Sequence, residues 1–259
     1  MKQIVLDLDQ CLMEVREALL TVCDPELDEP VTELGFIEQV RITNGGDVEV
    51  SFRLPTYWCS ANFAYLMASD MHDAIASLPW VKKTNIQLRE HFTAKEVSTG
   101  ASAGRSFHES FAAEADEDLQ GIRLLFRRKS FQKRQEILLH HFLSRGEAVS
   151  ALVTMSLAGL KAFQLNDEGQ VLRSRYLQAR AWLECEPMRS KCAFHNVDGK
   201  ALKANEFPDY LRELRRVRLN TEFNSMICRG LLEARYGVRH EDGLVQIEGM
   251  AVREVAAIF

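Results

Sequence analysis

No stretch of this chain approaches the roughly 20 consecutive apolar residues that a membrane-spanning helix needs. Its N-terminus, Met1-Lys-Gln-Ile-Val-Leu-Asp7, carries only a short apolar run before the first acid, so neither a signal peptide nor an anchor is expected and the compartment is expected to be the cytoplasm. Excess positive charge is also missing. Lys and Arg number 32 against 37 Asp and Glu, for a formal net charge of -5, which gives no global attraction to nucleic acid or an anionic membrane. Among the six cysteines there is no Cys-x-x-Cys pair. Reduced thiols are the expectation in the cytoplasm, with chemistry, metal binding or core packing as their uses in place of a disulfide framework. There is no internal repeat and no motif of a known nucleotide site.

What is present is an ordinary globular composition, 46% hydrophobic and 27% charged, over 259 residues. That length holds one large domain or two ordinary ones. Leu12, Val15, Leu19, Leu20 and Cys23 fall at helical spacing, and the helix they mark is expected to stop near Asp24-Pro25. The acidic stretch Asp24 to Pro30 follows and reads as a turn. Val48, Val50, Phe52 and Leu54 alternate with Glu49, Ser51 and Arg53, and with Val40, Ile42 and the turn Asn44-Gly45-Gly46-Asp47 they predict a β-hairpin. After Cys59, the residues Leu66, Met67, Met71, Ala74, Ile75 and Leu78 predict a second helix with Ser60 as its N-cap. Thr84, Ile86 and Leu88 predict a third strand. Helix, strand, strand, helix, strand makes a compact α+β module with helices on one side of its sheet.

The chemistry centres on Arg53-Leu-Pro-Thr-Tyr-Trp-Cys59-Ser-Ala-Asn-Phe63. A free cysteine is most often a small buried hydrophobe. Cys59 differs because it sits where a strand turns into a helix. The unpaired N–H groups of a first helical turn favour a thiolate, the form that ligates metal or acts as a nucleophile. On their own, Asp24 and Glu26 read equally as helix termination and surface charge. His72 and Asp70 lie more than two turns into the second helix, too far for a Cys–His pair.

These residues together resemble the MIP18 family, the DUF59 domain, which includes SufT-like and PaaD-like proteins of iron–sulfur cluster assembly. The likeness covers about residues 8–92. It rests on Asp24-Pro25-Glu26, Leu34-Gly35, the hairpin, Cys59 at a helix start, and Leu78-Pro79-Trp80-Val81 before the last strand. In that family proline usually follows the cysteine and small residues precede it. Here Ser60 follows and Tyr57-Trp58 precede, which is similar to the branch found beside bacterial multicomponent di-iron monooxygenases. The resemblance implies that Cys59, with Asp24 and Glu26 as neighbouring carboxylate ligands, holds iron or an iron–sulfur cluster transiently; Tyr57 and Trp58 are expected to contact a partner.

Residues 96–106, rich in Ser, Ala and Gly, have the composition of a flexible linker. This divides the chain into an α+β domain over 1–95 and a mainly helical domain over 107–259. In the latter, Pro208 opens a long helix whose apolar side is expected to carry Leu211, Leu214, Val217 and, after drift, Met226 and Leu231. A short strand is expected over Leu244–Ile247. Arg123, Arg127, Arg128, Lys129, Lys133 and Arg134 form one basic stripe, and Arg212, Arg215, Arg216 and Arg218 another. Without a nucleic-acid fold they read as a solvated face or, through Arg127 and Arg128, a docking surface for an acidic protein. Cys185, Cys192, His195 and Cys228 have the residue types of a zinc site, although the Cys185–Cys192 gap is loose. The neighbouring His140 and His141 point apart, and His91, His108 and His240 add nothing.

The expected protein is thus a two-domain assembly or metallocentre maturation factor. It handles iron or a cluster transiently, with zinc as the alternative. It is not a turnover enzyme, and it serves a client such as a di-iron monooxygenase hydroxylase or other assembly factors. No nucleic acid or membrane partner is expected, and a homodimer stays open. Two rival readings remain: an adaptor that binds through its basic helices, and a thiol enzyme with Cys59 as nucleophile.

Overall fold

A computed structural model of the chain describes residues 6–111, 119–183, 191–238, 240–241 and 244–245. As expected, an α+β N-terminal part precedes a mainly helical remainder. The chain falls into two units, Met1–Leu119 together with Asn224–Phe259, and Gln120–Phe223. The first unit thus runs past the expected boundary between residues 95 and 107 and includes a C-terminal segment.

The first unit opens with α1 (Leu8–Leu20), where the Asp7 carboxylate accepts from the backbone N–H groups of Asp9 and Gln10, as an N-cap should. Its buried face is Cys11, Val15 and Leu19; Leu20 is exposed. The helix ends at its C-cap Thr21, ahead of Asp24-Pro25. Two short strands, β1 (Cys23–Asp24) and β2 (Glu29–Pro30), then pair antiparallel and close the acidic turn.

β3 (Ile37–Ile42) and β4 (Asp47–Arg53) form the expected hairpin. At its turn Gly46 has φ 87°, and a Cβ there would stand 2.6 Å from the Trp80 carbonyl. Backbone conformation and space both require glycine. The chain then crosses back through α2 (Ala61–Ala76), and β5 (Lys83–Arg89) joins β4 in parallel, giving the order β3-β4-β5. Parallel neighbours need a crossover of this kind. Arg53 lies opposite Arg89, so the segments leaving β4 and β5 emerge at one edge of the sheet. That edge carries the site.

The expected linker is corrected to α3 (Ala94–Ser102), with Val97, Gly100 and Ala101 buried. It covers the outer strand. The backbone N–H of Ile86 donates to Ser102 Oγ and that of Leu88 to Ser98 Oγ, each at 2.9 Å, which satisfies donors that a bare sheet edge leaves open. A Cβ on Gly100 would meet Ser110 Oγ at 2.1 Å. Small residues are there because the approach is close. α4 (Phe107–Ser110) follows, its start fixed by a Ser106–Glu109 capping box.

The second unit holds α5 (Leu119–Ser144), α6 (Val149–Thr154), α7 (Leu157–Ala162), α8 (Asp167–Leu183) and the first part of α9 (Phe207–Tyr236). Phe131, Phe142, Tyr176 and Phe194 are central to its core. The basic stripe on α5 is partly internal. Lys133 and Arg134 are buried, and Arg134 donates to the Arg175 carbonyl and Gln178. Arg218 of the second stripe pairs with buried Glu136 at 2.7 Å. Beyond α9, β6 (His240–Glu241) and β7 (Leu244–Val245) pair antiparallel; Gln246 and Ile247 of the expected strand lie outside the described residues. Among the described residues no helix is long and apolar enough to cross a membrane.

Candidate functional site

Cys59 lies on the short loop between β4 and α2, one residue before the N-cap Ser60, whose hydroxyl makes no capping bond. The thiol is half-buried, with its Sγ 3.2 Å from Thr56 Oγ1. Thr56 Oγ1 also accepts from the Trp58 backbone N–H at 3.3 Å. The loop is fastened across the sheet edge to the residues that follow β5. The Phe92 backbone N–H donates to the Tyr57 carbonyl at 3.3 Å, and His91 Nε2 lies 2.8 Å from the Cys59 carbonyl.

His91 is buried, and its tautomer follows from its partners. Nδ1 accepts from the Thr93 backbone N–H, so Nε2 carries the proton and donates to the Cys59 carbonyl. Burial holds the imidazole below its ordinary range, the bond to Cys59 opposes this, and Arg235 adds to the lowering. His91 is therefore a neutral clamp on the loop. Sequence patterning passes over it. The signal that finds it is the parallel pairing of β4 and β5, since ligand sites in such sheets collect at the carboxyl ends of the strands.

Around the thiol stands an aromatic patch. Tyr57 and Trp58 pack edge to face at 4.9 Å, and Trp58 lies 5.5 Å from Phe92. The Trp58 residue is 75% exposed, and Tyr57 and Phe92 are both over 40% exposed. Phe92 is a member of this patch that the Tyr57-Trp58 pair alone does not reveal.

Asp24 is buried on β1. Its Oδ1 accepts from the backbone N–H groups of Glu26 and Leu27, each at 2.8 Å. Burial pushes this carboxyl up to about 6; the two N–H donors hold it down, while Glu26 and Glu29 raise it further. Glu26 accepts from Asn224 Nδ2 at 3.2 Å, and Glu29 pairs with Arg229. Burial, then the charges of Asp24, Cys59, Glu26 and Glu29, push the Cys228 thiol up to about 12. Among the described residues no three His, Cys, Asp or Glu side chains are grouped to hold a metal ion.

The described members of the other cysteine–histidine grouping belong to different units. Cys185 lies outside the described residues. Cys192 and His195 belong to the second unit, where their backbones form isolated antiparallel β-bridges, Cys192 with Ser156 and His195 with Ala201. The His195 ring stacks on Phe131 at 5.1 Å. Cys228 belongs to the first unit. Arg127 and Arg128 lie on α5, half-buried and exposed respectively.

Residues 12–88 match the family described as iron–sulfur cluster assembly protein. Over 74 residues, 29% of this chain, it is 34% identical to an iron–sulfur cluster carrier protein of Mycobacterium leprae, of which the match spans 19%. Over 84 residues, 32% of this chain, it is 27% identical to a chloroplastic Fe-S cluster assembly factor of Oryza sativa, spanning 16% of that protein. An uncharacterized protein of Methanocaldococcus jannaschii is 28% identical over 85 residues, which are 33% of this chain and 87% of that one. The chain thus spans less than a fifth of the length of the two relatives named for iron–sulfur clusters. No solved structure matches it. Residues 12–88, with Asp24, Glu26 and Cys59 inside them, are the part of this chain that carries the iron–sulfur cluster assembly protein domain.

Proposed function

We propose that the protein is an iron–sulfur cluster assembly or carrier factor whose cargo, iron or a cluster, is held transiently at Cys59 and handed to a client metalloprotein. The observation that carries this reading is a half-buried thiol at the carboxyl edge of the parallel strand pair, on a loop clamped by His91 and flanked by the exposed Trp58 ring. The donor set fits such a cargo. A thiolate is the ligand that soft iron centres select, and Asp24 and Glu26 are the carboxylates that would add harder oxygen ligands beside it. A single cysteine is a weak permanent cage, and weak holding is what a carrier needs.

The finer parts of the reading rest on the residues in named roles. Tyr57 and Trp58 supply apolar area beside the thiol for a partner to cover, and Arg127 and Arg128 supply charge for an acidic one. The client is a metalloprotein of the di-iron monooxygenase hydroxylase kind, and the protein turns over no small substrate. Zinc is the competing cargo. Anaerobic purification of the full chain with quantification of iron, zinc and sulfide tests this. Wild type is expected to carry sub-stoichiometric iron with or without sulfide, and Cys59→Ala to lose it. Equal iron and sulfide in both proteins would sink the reading.

A further inference from the structure

From Asn224 onward α9 belongs to the first unit, and the side it turns inward mixes polar anchors with apolar contacts. Asn224 Nδ2 donates to Glu26 Oε1 at 3.2 Å. Arg229 pairs with the Glu29 carboxylate and donates to the Glu33 carbonyl at 3.0 Å. Between these anchors stands Cys228, one turn beyond Asn224 and therefore on the same helix face. It packs against the same hydrophobic core as Cys59. One turn further, Leu232 is fully buried in that core, so the helix is held on both sides of the thiol. Cys228 comes from outside residues 12–88.

We propose that Cys228 is a second thiol ligand at the Cys59 site, so that a soft cation or the iron edge of a cluster is held between one sulfur from the family domain and one from α9. The proposal rests on the reading of Cys59 as a cargo site. The end of α9 also reaches the strand ends that carry Cys59: the Arg53 guanidinium, last on β4, lies 4.0 Å over the Tyr236 ring, and Arg235 pairs with Glu90, which follows β5, at 3.1 Å. A divalent cation deprotonates a coordinating thiol outright. Each bound Cys then gives its proton to solvent and forms one sulfur–metal bond, with no change of oxidation state. A tetrahedral metal held this way keeps two of its four positions for a donor or acceptor protein. That arrangement is firm enough to carry and open enough to release.

The test is an anaerobic titration of the full-length reduced protein with Co(II), following the sulfur-to-cobalt charge-transfer absorption, whose intensity reports the number of thiolates bound. Wild type is expected to show the two-sulfur intensity. Cys59→Ser and Cys228→Ser are each expected to show about half of it and to bind about ten-fold or more weakly. Cys11→Ala, which removes a thiol buried on α1, is expected to match wild type. Full intensity in Cys228→Ser with loss in Cys59→Ser overturns the second ligand and leaves the Cys59 reading standing. Full intensity in Cys59→Ser, or no band in wild type, overturns both. A check that needs no variant uses dibromobimane, which bridges two neighbouring thiols. Mass spectrometry of the treated wild-type chain is expected to find peptides of Cys59 and Cys228 joined, and Co(II) to protect them. Their remaining unjoined would overturn the proposal.

Discussion

At the scale of the residue, His91 shows how an unremarkable side chain can control a site. Its folded-state affinity for a proton is lowered, mainly by burial, from an ordinary value of 6.5. The unfolded chain therefore takes up a proton at a higher pH than the folded one. The stability associated with a neutral His91 is complete above 6.5 and is lost as pH falls from there toward the lowered folded value. Asp24, raised to about 6, acts with the opposite sign over the same range and adds stability as pH falls, so the His91 part is read as a difference between two proteins. In urea unfolding of the metal-free protein between pH 7.5 and 5, the midpoint of His91→Gln is expected to lose less with acid, or gain more, than that of wild type, because glutamine can donate to the Cys59 carbonyl without titrating. An unchanged slope would assign the acid sensitivity to other groups. Trp58 is the opposite kind of residue. With three-quarters of its surface in water, Trp58→Ala is expected to change stability by no more than about 0.5 kcal/mol. Capture of a client by the full chain is expected to weaken in that variant, and equal capture would remove the aromatic patch from the proposed function.

At the scale of the element, legibility followed from whether the local pattern and the tertiary environment agree. The hairpin is readable because strict alternation and a glycine turn both act locally, and α2 is readable because Met67, Met71 and Ile75 put one apolar face into the core. α3 is unreadable by the same logic. Its Ser, Gly and Ala residues have linker composition, yet they are small so that a helix can press against an outer strand and lend it hydroxyl oxygens. Replacing both Ser98 and Ser102 with alanine leaves the N–H groups of Leu88 and Ile86 without those acceptors, at a cost of about 1–3 kcal/mol for each donor left unsatisfied. Thermal unfolding of the double variant is expected to show that loss, together with faster hydrogen exchange at Ile86 and Leu88. Exchange as slow as wild type would mean that the hydroxyls do not protect the edge.

At the scale of the whole molecule, the recognisable family stretch is not the folded unit that contains it. Residues 12–88 supply Cys59 and its acidic neighbours, but α3, α4 and the end of α9 complete the first unit's core. The register of α9 escapes a hydrophobicity argument for a physical reason. Met226, which suits an apolar stripe, is 63% exposed, whereas the side that docks carries Asn224, Cys228 and Arg229 because it meets acids as well as core. Leu232 is the apolar contact on that side, fully buried in the first unit. Leu232→Ala is therefore expected to cost about 2–5 kcal/mol, the range for truncating a buried leucine. Trp58 and Trp80 both lie in the first unit, so a Trp182→Phe background isolates their fluorescence as a report on it. In that background the urea midpoint is expected to fall on Leu232→Ala. Met226→Ala, an exposed change on the same helix, is expected to leave it within about 0.5 kcal/mol. Equal effects of the two substitutions would mean that α9 presents a different face to the core, and would remove the support for Cys228 beside Cys59 along with it.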